Sequence, residues 1–439
     1  MSCAINLPGY KSAAKFGEQL LAELGLQREI IADADHPALA WRRAGLLRLS
    51  GPADGPAQIP PLSLTTAVDG AMLALKASSN FPDRLPQNGA LLLGERARLM
   101  DLQRAGRTST GGHCRLLDAA DGRIALNLAR DDDWELLEAW LEEPASSWEN
   151  VEQVVHSKSA TALVERGIEL GLPVAPDELR EAKQWFEEIT FKSSNKQHKK
   201  PLVVDLSSLW AGPLAGNLLH LMGADVIKVE SQSRPDGARQ GNFEFFNLLN
   251  AGKRCATLDF TLPEGRTDLK KLVDAADIVI EASRPRALRQ LGIDAEQLLS
   301  QQPGKTWVRL TAYGAAENRI GFGDDIGVGA GLSAIMEKAW GKPCFVGDAI
   351  ADPISGIYAA LAVWTKWQQG AGCLLNLSMC DIVRHAMQVE DENIDWSFVA
   401  TEWQNMAAAD SGEFYPMRNT SGVAEELGAS ISEIMSSLC

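Results

Sequence analysis

Residues 203–230 read VVDLSSLWAGPLAGNLLHLMGADVIKVE, and the order of apolar and chain-breaking residues in this stretch decides the fold. Leu202 to Leu206 is an apolar run of strand length. Ala211-Gly212-Pro213 then turns the chain into a helix, with Leu214, Leu218, Leu219 and Leu221 at helical spacing. Met222-Gly223 ends that helix, and Ala224 to Val229 is a second apolar strand. Two strands joined by a helix form a βαβ unit, and its strands lie parallel.

The alternation continues downstream. Ala256 to Phe260, Asp277 to Glu281, Trp307 to Thr311 and Leu374 to Leu377 read as strands. Glu264 to Ala276, Asp294 to Gln301 and Pro353 to Gln369 read as helices. A near-continuous apolar strand with no polar alternation belongs to a sheet covered on both faces. The prediction is therefore an α/β protein with a parallel-sheet, Rossmann-like large domain over 202–400. Ligands of such sheets sit at the carboxyl ends of the strands.

Upstream, Lys15 to Leu26 and Thr66 to Ser78 have helical periodicity, and Gly122 to Leu128 reads as a strand after a turn at Asp118. Asp131 to Asp133 precede an apolar helical pattern, where the helix dipole favours negative charge. No loop-spaced Glu follows, so a calcium site is not supported. Residues 1–190 are read as a smaller α+β domain. The polar, basic stretch FKSSNKQHKKP, 191–201, reads as a linker. Val423, Leu427, Ile431, Ile434 and Leu438 have helical spacing, so 401–439 is either a docking helix or a tail.

The chain of 439 residues carries a formal net charge of -16. That surplus disfavours nucleic acid and anionic membranes as partners. It is uneven: residues 291–439 carry a net of -11, whereas 224–290 carry +1. The 7 cysteines are scattered with no Cys-x-x-Cys, which points to a reducing, cytoplasmic setting without a disulfide framework. The first residues lack a basic start followed by an apolar run, so no signal peptide is predicted. The first strand-to-helix turn is not G-x-G-x-x-G, and no P-loop or G-x-S-x-G occurs. Gly321 to Gly331, GFGDDIGVGAG, reads as a flexible loop. The 6 histidines have no ligand spacing, so no metal is expected.

Several of these stretches together resemble the class III CoA-transferases, a family that includes formyl-CoA transferase and carnitine CoA-transferase and is related to alpha-methylacyl-CoA racemase. The resemblance rests on 203–230, on FFNLLNAGKRCATLDFTLPEGR (245–266), on ADIVIEASRPRALRQLGI (276–293), on TAYG (311–314) and on DPISGIYAALAVWTKWQQGAGCLLNLSM (352–379). GGHCRLLDAADGRIALNLARDDDWELLEAWL (111–141) is similar to the family's small domain, which ordinarily follows the large one and here precedes it.

The resemblance implies an enzyme that moves CoA between an acyl-CoA and a carboxylic acid. The family nucleophile, an aspartate four residues before a glycine, falls on Asp352. A carboxylate nucleophile divides one difficult exchange into easier steps. Read from its neighbours alone, Asp352 before Pro353 is a helix cap, with Asp348 one turn earlier as a competing carboxylate. Gly111 and Gly112 match the glycine loop that would stabilise oxyanions. Leu209, Ala211 and Leu258 match positions contacting CoA, and Lys253, Arg254, Arg284 and Arg286, with Arg234 and Arg239, are candidate cations for its phosphates. Asp324 occupies the racemase histidine's place. CoA is expected as a substrate, with no tightly bound cofactor and a homodimeric state. An acyl-CoA racemase or isomerase, or an inactive CoA-binding subunit, are the alternatives.

Overall fold

The computed structural model describes residues 11–181, 183–194, 200–283, 285–387, 394–420 and 422–437. A small antiparallel sheet contains β1 (Cys114–Asp118), β2 (Arg123–Asn127) and β3 (Val174–Pro176) in that order. The large sheet contains β4 (Phe186–Thr190), β5 (Leu202–Asp205), β6 (Asp225–Ser231), β7 (Arg254–Leu258), β8 (Ile278–Glu281), β9 (Thr306–Thr311) and β10 (Cys373–Ser378). Its order is β4-β10-β9-β8-β5-β6-β7. All neighbours are parallel except β4, which pairs antiparallel with β10 at one edge.

From β5 the chain winds outward to β6 and β7, then returns to lay β8, β9 and β10 on the other side. The winding reverses between β5 and β8, and in open α/β sheets the ligand crevice opens at that reversal. Successive residues of a strand point to opposite faces. Val203, Ile278, Ile280, Val308 and Leu375 enter one core, while Val204, Val279, Trp307 and Leu374 enter the other. This two-sided burial is why the strands read as unbroken apolar runs.

The domain boundaries depart from the sequence reading. The helices Ala13–Glu23, Leu64–Ser78 and Ala90–Leu99 do not join the small unit. Their Leu20, Leu21, Val68, Leu75 and Leu92 share one core with the helices Ala211–Leu221 and Ala351–Gln368 of the large sheet. The helix Leu64–Ser78 is buried on nearly all sides, so it needs partners around its whole circumference. The separate α+β unit is smaller: β1 to β3 with the helices Asp131–Glu135, Leu137–Leu141, Trp148–Val155 and Ala160–Leu170, packed around Ile124, Leu126, Trp140 and Leu163.

The expected linker is also partly structured. β4 has already joined the large sheet, and Phe191 and Ser194 donate backbone hydrogen bonds to Gly372 and Gly370. Residues 195–199 lie outside the described residues. At the other end, the helix Trp396–Ala409 runs through the expected boundary at 400, burying Trp403 and Ala407 in the first core. The helix Ile431–Ser437 docks Ile434 into the second core beside β7. Val423 and Leu427 remain exposed, because the helix begins only at Ile431. Within the stretch read as a flexible glycine loop, Gly323–Gly329 is a helix.

Candidate active site

Asp352 lies in the first turn of the helix Ala351–Gln368, beside the start of the helix that follows β5. Gly356 makes this closeness possible: a Cβ there would come 2.6 Å from the carbonyl oxygen of Ala211. The glycine four residues after the aspartate thus has a packing reason. Asp352 does not cap its own helix. Its carboxylate instead accepts a hydrogen bond from the backbone N–H of Gly323, which opens the helix Gly323–Gly329. A Cβ at Gly323 would meet the Asp352 Oδ2 at 2.3 Å, so only glycine brings that amide to the carboxylate. Ala349 supports the turn with a φ of 40°, in the left-handed region that non-glycine residues rarely adopt.

Three carboxylates converge around one guanidinium. Asp348 is fully buried and accepts a two-pronged contact from Arg96, with Nε at 2.8 Å and Nη2 at 2.5 Å. The Thr110 hydroxyl adds a third bond to Asp348 at 3.0 Å. Asp348, the competing carboxylate of the sequence reading, is therefore saturated by partners. Asp324 accepts from the Ala349 N–H at 2.9 Å and from the Ser109 hydroxyl. Arg96 also lies over the Trp210 ring at 4.6 Å, which fixes the guanidinium against the turn after β5.

These neighbours set the acidities. Desolvation pushes the Asp352 carboxyl up to about 7, with Arg96 pulling down against Asp324 and Asp348. Desolvation, with the Asp348 charge, pushes Asp324 up to about 6. Asp325, buried and bonded by Asn127 and the Phe322 N–H, is pushed up to about 7 by desolvation. A carboxyl that titrates near neutrality can lose and regain its proton within one reaction cycle.

The predicted glycine loop is brought to this cluster. Gly111 and Gly112 are exposed and follow Ser109 and Thr110, whose hydroxyls hold Asp324 and Asp348. Gly112 has a φ of 82° with open space on its Cβ side. His113 beside it is exposed.

The cofactor-contact candidates divide. Leu209, Ala211 and Leu258 all lie at the carboxyl edge of the sheet. Leu209 has a φ of 67° and is 43% exposed, with its N–H bonded to Asp236 at 3.0 Å. Lys253 is not available to a phosphate. Its ammonium is buried and already donates to Asp205, the Pro213 carbonyl and Asn250, at 3.0, 2.8 and 3.1 Å. Arg254 begins β7 at the amino edge of the sheet, away from the crevice, and pairs with Asp225 at 2.8 Å. Arg239 is committed to Glu230 and stacks on Phe246. Arg234 and Arg286 are exposed, follow β6 and β8 at the carboxyl edge, and have no ion pair with a described residue. Arg284 lies outside the described residues.

Sequence reasoning missed Arg96, Ser109 and Thr110. Arg96 and its partner Asp348 are 252 positions apart, and nothing local to the helix Ala90–Leu99 marks the pairing. It also missed the buried Lys228, which bonds Asp236 at 2.8 Å and the Ser207 carbonyl at 3.1 Å to hold the turn after β5. Among the described residues no group of three or more His, Cys, Asp or Glu could hold a metal ion.

Residues 201–410 match the sequence model of CoA-transferase family III. The chain is 32% identical over 203 residues to the probable fatty acyl-CoA transferase Rv3272 of Mycobacterium tuberculosis, covering 42% of this chain and 51% of that protein. It is 29% identical over 213 residues to the succinyl-CoA–D-citramalate CoA-transferase of Chloroflexus aurantiacus, covering 44% and 53%. The crystal structure of Rv3272 matches 44% of this chain and 55% of its own, at a TM-score of 0.39. The chain spans about half the length of the curated relatives it matches.

Proposed function

We propose that this protein transfers CoA between an acyl-CoA and a carboxylic acid, with Asp352 as the covalent nucleophile. The observation that carries this reading is the contrast between two neighbouring carboxylates. Asp348 is closed off by Arg96 and Thr110, whereas Asp352 takes one backbone N–H and stands at the crevice turn with an acidity near neutral. In the proposed cycle the Asp352 carboxylate attacks the thioester carbonyl, forming a mixed anhydride and expelling CoA thiolate. The thiolate attacks the aspartyl carbonyl and releases the donor carboxylate, leaving an aspartyl-CoA thioester. The acceptor carboxylate attacks that thioester, expelling the thiolate again and giving a second anhydride. Thiolate attack on its acyl carbon then yields the new acyl-CoA and frees Asp352.

In this proposal the Gly111 backbone N–H serves the oxyanions, since the Gly112 N–H is already bonded to the Ser109 carbonyl at 2.9 Å, and Arg286 and Arg234 face the CoA phosphates. Relatives named as CoA-transferases for succinyl-CoA and formyl-CoA support the reaction class. The homodimer implied by the resemblance is part of the proposal, and sedimentation equilibrium tests it. No described helix is long and apolar enough to cross a membrane; the cytoplasmic setting proposed alongside is tested by fractionation.

Incubation with a panel of acyl-CoAs, quenching with hydroxylamine and peptide mapping tests the nucleophile. Hydroxamate at Asp352, lost in Asp352→Asn, supports it; CoA binding without any adduct contradicts it and favours a CoA-binding subunit. A second reading, α-proton exchange, draws on Asp324 and Asp352 both titrating near neutrality. Deuterium incorporation at the acyl α-carbon without CoA transfer would favour it.

A further inference from the structure

The small sheet is covered on both faces. Ile124 and Leu126 turn into its own core, while Cys114, Leu116 and Ala125 turn onto Val328 and Phe345. Alternate residues of a strand face opposite sides, so the same strands make both contacts. Val328 lies on the helix Gly323–Gly329, whose first N–H binds the Asp352 carboxylate. The Gly111-Gly112 loop enters the same sheet through His113 and β1. One seam therefore backs both the amide at Asp352 and the glycine loop.

A buried polar pair crosses this apolar seam. Asn127 ends β2 and is 2% exposed; its Nδ2 donates to Asp325 Oδ1 at 3.0 Å, and Asp325 is fully buried. The same oxygen accepts the Phe322 N–H at 2.9 Å, which closes the first turn of the helix beside Gly323. Asp325 Oδ2 and Asn127 Oδ1 are sealed from water and have no partner. Both are acceptors when the carboxyl is ionised, so the pair lacks a hydrogen. A proton on Asp325 Oδ2 is the missing donor, and Asn127 Oδ1 is an acceptor in want of one.

The surroundings favour that proton. Asp324 adds a second acid on the same helix. Cys114 of β1 and Tyr313 after β9 face Asp325 as neutral groups, because burial pushes the thiol and the phenol well above their usual values. Arg319 and Arg384 lie beyond Tyr313 and are engaged by the Val174 and Gly329 carbonyls. No cation bonds Asp325 among the described residues. An ionised carboxylate here would be a buried charge without a counter-ion, and desolvation accordingly pushes Asp325 up to about 7.

We propose that Asn127 and Asp325 are positioning residues for the reaction at Asp352, a role that rests on Asp352 being the nucleophile. Neither touches substrate. Asp325, as a neutral acid, clasps Asn127, and the seam then holds the Gly323 N–H on Asp352 with the glycine loop beside it.

Hydroxylamine capture of Asp352 in the presence of acyl-CoA, run on the full chain beside calorimetry with CoA and thermal melts, tests the role. Asn127→Leu removes the clasp and should slow capture about tenfold or more, with CoA affinity within about twofold of the parent. Asp325→Asn copies the shape and hydrogen bonds of the neutral acid, serves as the variant that folds, and should capture within about threefold of the parent. The exchanged pair, Asn127→Asp with Asp325→Asn, should recover most of the rate lost in Asn127→Asp alone. Parental capture in Asn127→Leu, an equal loss of CoA affinity, slow capture in Asp325→Asn, or no recovery in the exchanged pair would each overturn the positioning role while the parent still forms its Asp352 adduct. Absence of that adduct in the parent would instead overturn the nucleophile reading, and this role with it.

Discussion

Arg96 is the sharpest point of attack on the carboxylate cluster. Replacing it in Arg96→Gln leaves Asp348 fully buried with only the Thr110 hydroxyl as a side-chain donor. Stripping the partner from a buried charge costs about 3–5 kcal/mol. The same change removes the cation that holds Asp352 down, and loss of an adjacent opposite charge raises a carboxyl by about 1–3 units. Asp352 already titrates at about 7, so the substitution drops its ionised share at neutral pH from about half to about a tenth or less. Two assays read these effects: urea unfolding followed by tryptophan fluorescence, and the rate of covalent capture against pH. The capture profile should keep its shape and shift to higher pH. The double variant Arg96→Gln with Asp348→Asn removes the orphaned charge and the repulsion together, so it should recover much of the stability and move the profile back. The reasoning is refuted if Arg96→Gln unfolds within about 0.5 kcal/mol of the parent, the range of ordinary surface changes, with its profile unmoved.

Other consequences can be checked in parallel. Gly356→Ala places a methyl 2.6 Å from the Ala211 carbonyl; overpacking of about 1–3 kcal/mol and slower capture at Asp352 are expected in melting and capture assays. Lys253→Met should lower stability by about 3–5 kcal/mol, because Asp205 loses its buried partner; Arg286→Ala should weaken CoA binding in calorimetry with little change in unfolding. Fold stability should rise as pH falls from about 8 to about 5. Asp69, Asp325 and Asp352 at about 7, and Asp324 at about 6, hold protons in the fold that the unfolded chain releases near pH 4. Their contribution is complete below the unfolded value and is lost as pH rises through 6 to 7. Asp410, held at about 2 by Arg43, works the other way and its contribution is lost only at lower pH. Unfolding free energies measured across this range settle the sign.

The parallel sheet was legible because both its faces are buried: Val203 and Val204 enter opposite cores, so both had to be apolar. The strand–turn–helix of 203–230 is local, and local pattern predicts local structure. The N-terminal helices were assigned to the wrong body because an apolar helix such as Leu64–Ser78 announces burial without naming its partner. The same limit hid Arg96, whose role depends on Asp348 far along the chain. Lys253 and Arg254 were read as phosphate contacts from the charge in their motif. The fold spends one inside the core and places the other at the amino edge, where a lysine or arginine type alone cannot distinguish a structural ion pair from a ligand contact. Asp352 was singled out by the family resemblance, whose aspartate stands four residues before a glycine, while its neighbours alone suggested a helix cap; the structure gives the glycine at that spacing a packing cause in the contact with Ala211.

The most direct test of the central claim is peptide mapping after hydroxylamine capture in the presence of acyl-CoA. The account predicts a hydroxamate on Asp352 that forms faster as pH rises through about 7 and is absent from Asp352→Asn. CoA transfer between acids with Asp352 unmodified, or with the adduct on Asp348 or Asp324, would contradict it.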